Sequence, residues 1–395
     1  MTRAGMTFET ALAGAARRAS RVAGGTIGRG HLLESTVRLS LGARIGLGRR
    51  RRHLSRLISS GVGLTREMSH LIGGRLDCRD GEWVAEVDGL LNEARWDYPK
   101  LSAGRPDYGE LPRWAPETRR IIARALTDAQ QAGVSHAGIL FLLDAVLNDS
   151  LSADILLRCG VDPGQLMEVA RRYQPEGALE DQPATPVVRL LEYFKVTSGG
   201  SEQMGLFSWG LRRMMRRESV DALAFVLEHA ATREAVRLGC DQVASAHLLL
   251  ATVALDEELA LADAALPHHL APVNLGGQML AHAGMTRRQL IAGFCRLRLP
   301  REPALPQYTK RDLRKQSPRW WRKHPKDPPW TEQAFAAAER GIALAVACGA
   351  DYGSTHLLIG ALSDADASAR RLLEGLGVDA RAILETATES LHSCR

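Results

Sequence analysis

The feature that most constrains the fold of this chain is a unit that occurs four times along it. The clearest copy runs from Trp330 to Leu391, and its landmarks are a glycine, a Ser-Thr-His-Leu-Leu stretch and a Gly-Val-Asp triplet, in that order. The triplet recurs earlier in the chain as Gly61-Val62-Gly63, Gly160-Val161-Asp162 and Gly284-Met285-Thr286. Such an internal repeat predicts that one small supersecondary unit is stacked several times.

The four copies form two pairs with a nearly constant spacing, and Gly160 and Gly377, for example, are 217 positions apart. The second copy departs from the pattern, because Leu140 stands where the other copies have a histidine. Other landmarks of the first and third copies, and of the second and fourth, are separated by 216 positions: His31 and His247, Trp114 and Trp330, Gly133 and Gly349. This spacing indicates that a module of two copies has been duplicated in tandem.

Composition and length are those of a globular protein with two domains. A chain of 395 residues exceeds the usual size of one hydrophobic core, and contents of 45% hydrophobic and 24% charged residues are ordinary for globular proteins. No signal peptide and no membrane-spanning apolar run are visible. The six cysteines never have CxxC spacing, which argues against a disulfide framework or a zinc site and favours a cytoplasmic location. We therefore expect no metal, no cofactor and no membrane contact.

The last copy shows why the unit is expected to be helical. Phe335, Ala338 and Ile342 recur at three- and four-residue steps, which is the stripe of an amphipathic helix. Gly349 is placed to end that helix in the left-handed conformation. Ser354 is placed to cap a second, largely apolar helix.

The Gly-Val-Asp triplet predicts a joint between two further helices. Gly377 closes the third helix, and Asp379 caps the fourth by accepting hydrogen bonds from its free N–H groups. Asp162 repeats this arrangement in the second copy, and Thr286 with Gln289 forms a capping box in the third. The pattern therefore predicts four short helices in each copy.

The predicted fold is all-α, with two tandem eight-helix domains, each a pseudo-twofold pair of four-helix repeats. Between them lies a segment with prolines, acidic residues and a Gly/Ser-rich stretch, typical of a linker. Its apolar residues suggest that parts of it are ordered or bound to a partner. The predicted boundaries are 1–173 for the first domain (copies at about 4–73 and 113–173), 174–216 for the linker, and 217–395 for the second domain (copies at about 218–296 and 330–392).

This order of helix, glycine, His-Leu-Leu helix and Leu-Gly-Val-Asp joint resembles the repeat of the N-terminal domain of Clp unfoldases such as ClpC and ClpA. The resemblance covers nearly the whole chain as two tandem domains; it is strongest in residues 330–391 and weakest in the first copy. It implies an all-helical domain that receives substrates, adaptor proteins and some cyclic-peptide antibiotics. In the family this domain precedes two ATPase modules, whereas this sequence has no GxxxxGK[ST] motif to cradle a nucleotide. The chain thus resembles the receptor part of an unfoldase without its motor.

The family motif Gly-Thr-Glu-His is altered in all four copies. In ClpC-type domains its glutamate recognises phosphorylated arginine. The corresponding positions here hold Gly30, Ile139, Ala246 and Thr355, and none of these can accept a charge-assisted bond from a guanidinium group. We therefore expect no phosphoarginine recognition of the usual kind.

A second surface of the family is better preserved. ClpC-type domains have an aromatic residue, a proline and then a lysine five positions after the aromatic, and members from actinobacteria use this surface to bind cyclic-peptide antibiotics. This chain has Trp114, Pro116 and Arg119 there, whereas the fourth copy has Trp330 but Phe335 at the cation position. The first domain is therefore the better candidate for such a ligand. Both tryptophans could equally be covers for the first helix of their copies, since anchoring and packing are both common roles of tryptophan.

The recurring histidines and the basic runs each have a structural and a functional interpretation. His31, His247 and His356 each stand at a helix start, and local bonding is favoured over a base or metal-ligand role because no carboxylate or cysteine recurs with them.

The basic runs, 49–52 and a Pro- and Trp-containing stretch up to Lys326, can neutralise phosphates and stack on bases. A solvated or partner-docking loop is favoured, because both runs fall in insertions. The residues of the possible polyanion site are Lys310, Arg311, Arg314, Lys315, Arg319, Trp320, Trp321, Arg322 and Lys323.

Together these patterns predict a non-enzymatic protein, because no group of residues supports catalysis. Its expected partners are peptides, cyclic-peptide antibiotics, or a ClpC-type unfoldase with its clients and adaptors. It could deliver or withhold clients as an adaptor, or sequester Clp-directed cyclic peptides as a decoy. The alternative from another class is a nucleic-acid-binding regulator that uses the basic stretch 310–326.

Overall fold

The computed structural model describes most of the chain and shows it to be helical. The described residues are 3–19, 26–42, 81–100, 113–158, 160–173, 182–194, 196–197, 222–297, 299, 301–305 and 327–393. Apart from four two-residue strands and single bridges, the regular structure in these ranges is helical. The prediction of an all-α fold is confirmed.

The chain divides into two compact units, residues 1–184 and 185–395. The elements of the first unit are α1 (Met6–Ala19), α2 (Arg29–Gly42), α3 (Gly81–Lys100), α4 (Pro116–Gln131), α5 (Ile139–Leu147), α6 (Ser150–Arg158) and α7 (Pro163–Tyr173), with strands β1 (Arg3–Ala4), β2 (Thr26–Ile27), β3 (Arg113–Trp114) and β4 (His136–Ala137). Helices α4 to α7 form the four-helix unit of the second copy. The joint expected at Gly61-Val62-Gly63 lies outside the described residues.

Short parallel ladders link the two copies of the first unit crosswise. Strand β1, which precedes the first helix of one copy, pairs with β4, which precedes the second helix of the other. Strand β2 pairs with β3 in the reciprocal way, with Ile27 opposite Trp114. This exchange links each copy to the other at two places and fixes where α4 begins.

The second unit contains the third and fourth copies and one additional helix. Its elements are α8 (Pro186–Tyr193), α9 (Ala222–Arg237), α10 (Ser245–Leu261), a 3₁₀ turn (Ala271–Val273), α11 (Gly276–His282), α12 (Arg287–Arg296), α13 (Glu332–Cys348), α14 (Ser354–Leu362), α15 (Ser368–Gly375) and α16 (Ala380–Ser393). A parallel bridge joins Val243 to Trp330. These two residues lie 216 positions after Ile27 and Trp114, so the crosswise link occurs in both units.

The predicted helix joints have the expected geometry. Gly349 and Gly377 have φ of 62° and 79°, the left-handed region in which a side chain is strained. The Asp379 carboxylate accepts from the backbone N–H of Ala382 at 3.0 Å. In the third copy Thr286 caps α12 through the N–H of Gln289. These ends follow from local chemistry, which is why the sequence could specify them.

Two central helices organise the core of the second unit. Every residue of α14 is buried, and so are the first eleven residues of α10. Both helices are apolar all round, which is the pattern of a helix surrounded by other helices. Their starts are therefore enclosed, and any polar group there needs a partner inside the protein.

Helix α8 lies within the segment 174–216 that the sequence identified as a linker. Val187 and Leu191 of this helix, and Phe194 just after it, are buried in the core of the second unit. The second compact unit accordingly begins at Thr185. No helix in the described ranges is both long and apolar enough to cross a bilayer.

Candidate functional site

The aromatic-proline-cation edge of the first unit, formed by Trp114, Pro116 and Arg119, lies at the start of α4. Trp114 ends β3 and is partly buried, and its indole Nε1 donates to the carbonyl oxygen of Leu91 at 2.9 Å. Pro116 is the first residue of α4 and is exposed. The Arg119 guanidinium lies 3.0 Å from the Asp88 carboxylate, and 47% of the Arg119 side chain remains exposed.

Helix α3 holds this edge in position. Its residues Asp88 and Leu91 are three positions apart and therefore share a helix face. Val87, Leu90 and Leu91 are buried in the core of the first unit, so α3 is an integral part of that core. Sequence reasoning missed this support, because α3 lies between the first and second copies and has no counterpart in the repeat.

The matching edge of the second unit has a different environment. Trp330 is only 7% exposed and belongs to the core, and Phe335 packs partly buried against the same core. The extended segment 301–305 runs alongside, and the backbone N–H of Leu305 donates to the Trp330 carbonyl at 2.8 Å. The tryptophan at this position is therefore partly exposed in the first unit and enclosed in the second.

Glu302 occupies the converging starts of α10 and α15. Its carboxylate accepts from the backbone N–H of Ser245 at 3.0 Å and of Ser368 at 2.8 Å, and also from the hydroxyls of Ser245 and Thr331. Burial raises the pKa of Glu302, but the hydrogen bonds from Ser245, Thr331 and Ser368 outweigh it and leave the pKa below its usual range. The N–H groups that would attract an external anion here are thus satisfied within the chain.

The start of α14 is likewise occupied from within. The Asn274 side-chain oxygen accepts from the Ser354 N–H at 2.8 Å, and the Thr355 hydroxyl accepts from the Leu275 N–H at 2.9 Å. Thr355, which stands at the position of the motif glutamate, therefore bonds to its own chain. The repeat pattern gave no signal for Asn274, which follows the 3₁₀ turn inside the third copy, or for Glu302, which lies in the irregular segment before the fourth copy.

The corresponding position in the first unit is occupied by a positively charged side chain. Arg29 stands 216 positions before Ser245, and its guanidinium lies 3.3 Å from the Asp149 carboxylate. Asp149 also accepts from the backbone N–H of Ser152, the counterpart of Ser368, at 3.0 Å. Gly30 and Ile139, at the motif positions of this unit, lack a side-chain acceptor. The two units thus share a backbone frame and differ in the polar groups that it holds.

The three recurring histidines bond locally. The Nδ1 atom of each accepts from the backbone N–H three residues earlier, at 3.4 Å for His31, 2.9 Å for His247 and 3.2 Å for His356. Burial lowers the pKa of His247 and of His356 to about 4. Both rings are therefore neutral near neutral pH and act as helix caps, which is the role that the sequence favoured.

Other features of the described residues add no chemistry. No group of three or more His, Cys, Asp or Glu side chains in these ranges is placed to hold a metal ion. A cleft of about 290 Å³ lies between the end of α5 and the start of α7 and has mixed charge, with Asp144, Glu168 and Arg171 in its lining. None of the site residues predicted from the sequence lines it. The basic runs 49–52 and 310–326 lie outside the described residues.

No family model matches this chain, and no curated protein matches it.

Proposed function

We propose that this protein is a non-catalytic binder of peptides or proteins of a ClpC-type protease system, and that its ligand binds at the Trp114–Arg119 edge of the first unit. Two forms of this function fit: a decoy that sequesters Clp-directed cyclic peptides, and an adaptor of the unfoldase. The proposal combines the resemblance of two tandem Clp N-terminal domains with the geometry of this edge. The observation that supports this proposal most directly is that the side chains of Trp114 and Arg119 are partly exposed and are held in one orientation.

The fixed edge favours binding because little order has to be imposed on it. Tryptophan and arginine are the residues most often found as binding anchors. Here the indole of Trp114 is oriented by its bond to the Leu91 carbonyl and the guanidinium of Arg119 by Asp88. A side chain already held in place loses less conformational entropy when a ligand arrives, which improves affinity.

The polar helix starts support a ligand other than phosphoarginine. In the second unit, the acceptor groups of Glu302, Asn274 and Thr355 already bind one backbone N–H at each of the starts of α10, α14 and α15 and one just before α11. A phosphorylated side chain would have to displace bonds that are already made. These contacts agree with the loss of the motif glutamates.

The decoy form is tested by calorimetric titration of the full chain with a ClpC-directed cyclic peptide. We expect Trp114→Ala to weaken binding by about 30-fold, because truncating a central anchor costs about 2 kcal/mol. Arg119→Glu should weaken it by about tenfold through loss of the exposed cation. Trp114→Phe, which removes the indole N–H and keeps an aromatic ring, guards against a folding defect and should bind with intermediate affinity.

The control is Arg124→Glu, on the same helix. Arg124 is 52% exposed and pairs with Asp128 at 3.6 Å, so it matches Arg119 in exposure and ion pairing but lies more than one turn away from the edge. It should bind as the wild type does. Absence of heat at micromolar peptide contradicts the decoy form. Co-elution of the same preparation of the chain with a purified ClpC-type unfoldase would then support the adaptor form. If the chain binds neither the peptide nor the unfoldase, the proposal is without support.

A further inference from the structure

The packing of α8 defines a groove in the second unit that is filled by a helix from outside the repeat. The groove lies between α9 and α10, and α8 contacts both. Val187, Val188 and Leu191 of α8, together with Phe194 just after it, are buried there. The Phe194 ring meets Phe225 of α9 edge to face, with ring centroids 5.4 Å apart.

A buried carboxylate at one end of the groove recognises a helix N-terminus. Glu258 of α10 accepts from the backbone N–H of Val187, the first free donor of α8, at 2.7 Å, and from the Arg233 guanidinium at 2.9 Å. A carboxylate suits the positive end of a helix dipole and satisfies an N–H that the helix itself leaves unpaired. In α8, Glu258 contacts a backbone N–H and not a side chain. The site can therefore accept any helix that begins at this point and carries apolar residues at the matching positions.

Some polar groups at the contact between α8 and the groove are buried without full compensation. The hydroxyls of Tyr193 and Thr197 are buried and have no hydrogen-bond partner among the described residues, and a buried unpaired hydroxyl costs about 1–3 kcal/mol. Glu258 and Arg233 are also stripped of water, since their side chains are only 9% and 5% exposed. Helix α8 has eight residues, too few to be stable by itself in water.

We propose that the groove between α9 and α10 is a binding site for an amphipathic helix of a partner protein, and that α8 is a tethered occupant which such a helix replaces. The partner helix presents apolar side chains at the spacing of Val187, Val188, Leu191 and Phe194, and its first free N–H bonds to Glu258. Because α8 belongs to the same chain as the groove, it is present there at high effective concentration, so a competing helix has to match the groove. This inference goes beyond the proposed function, which places a ligand in the other unit.

The test uses the full chain and a fluorescent blocked peptide with the sequence of residues 185–194. Val188→Asp combined with Leu191→Asp in the chain removes α8 from the groove, because buried carboxylates without partners are strongly disfavoured. We expect the peptide, measured by fluorescence anisotropy, to bind this variant at least about tenfold more tightly than the wild type, where the tethered helix competes. The same peptide with both aspartates should not bind.

The matched control places two aspartates on the exposed face of the same helix, as Arg189→Asp with Glu192→Asp. Its groove stays filled, so it should bind the peptide as weakly as the wild type. A folded Val188→Asp/Leu191→Asp variant that binds no better than the control overturns the proposal. A dimer of the wild-type chain that dissociates in this variant also overturns it, because the occupant is then a second copy.

Hydrogen exchange of the wild-type chain keeps the proposal testable if that variant fails to fold. An exchangeable α8 opens without global unfolding, so its amides should exchange at least about tenfold faster than those of α10. Equal protection of α8 and α10 would show that α8 is a permanent part of the core and would overturn the proposal.

Discussion

At the residue scale, the buried histidines show how a recurring motif residue serves the fold. His247 and His356 accept a hydrogen bond from the backbone N–H just before their helices, at Ala244 and Gly353. Gln289 does the same for Thr286 in α12, at 2.9 Å. A glutamine can therefore replace this histidine function, and it does not titrate.

The titration of these histidines gives a pH prediction. The ordinary histidine pKa of 6.5 applies to the unfolded chain, whereas burial lowers it to about 4 in the folded protein. Between pH 4 and pH 6.5 the unfolded chain binds more protons than the folded protein does. The neutral histidines therefore make their full contribution to stability above about pH 6.5, and the free energy of unfolding declines as the pH falls toward 4. We expect the melting temperature of the chain to fall by several degrees between about pH 7 and about pH 5.

The variant with His247→Gln and His356→Gln isolates this effect from carboxylate titration. It should be less stable at neutral pH by about 1–2 kcal/mol, because the glutamines fill the buried sites less well. Its melting temperature should depend less on pH than that of the wild type. Equal pH dependence of the two proteins would show that the histidines are not the titrating groups.

At the element scale, the crossing of α13 and α14 depends on two glycines. A methyl group built on Gly360 would lie 2.1 Å from the Ala337 carbonyl oxygen, and one on Gly341 would lie 2.8 Å from the His356 carbonyl oxygen. Both obstacles are backbone atoms, which cannot move aside as a flexible side chain can. The two helices therefore touch backbone to backbone at this crossing.

Gly360→Ala and Gly377→Ala should differ in cost although both are glycine-to-alanine changes in the fourth copy. At Gly377 the space is open and only the φ of 79° is unfavourable, which costs about 1–2 kcal/mol. At Gly360 the methyl group separates two packed helices, and we expect a loss of at least about 3 kcal/mol. Urea denaturation followed by circular dichroism measures both values. Equal losses would contradict the close crossing.

The sequence specified what is local and missed what is long-range. The helix ends at Gly349 and Asp379 follow from nearby residues, and the sequence predicts them. Asp88, Leu91 and Glu302 were not predicted to matter, because they come from segments with no counterpart in the repeat. Their contacts depend on how distant parts of the chain pack, and no periodic pattern encodes that.

At the scale of the whole molecule, the duplicated module keeps its frame and changes its contents. The bridge between Ile27 and Trp114 recurs between Val243 and Trp330 at the same spacing. The side chains around it differ: the tryptophan is partly exposed in the first unit and enclosed in the second. Such divergence agrees with the two different binding sites proposed above, the edge in one unit and the helix groove in the other.

The boundary between the units leads to a prediction about fragments. Residues 185–395 include α8, whereas 217–395, the domain predicted from the sequence, lacks it. Docking of α8 buries Val187, Val188, Leu191 and, just after the helix, Phe194. Each buried apolar side chain contributes about 1.5–3 kcal/mol, and the conformational entropy lost when the segment is ordered offsets most of this gain. We expect both fragments to fold, with 217–395 less stable by about 1–3 kcal/mol and its melting temperature lower by about 2–10 °C. The blocked peptide of residues 185–194 should restore most of this difference when added at saturating concentration, since it binds only the folded fragment. Failure of 217–395 to fold would show that α8 is indispensable to the core, and equal melting temperatures would show that its docking contributes nothing.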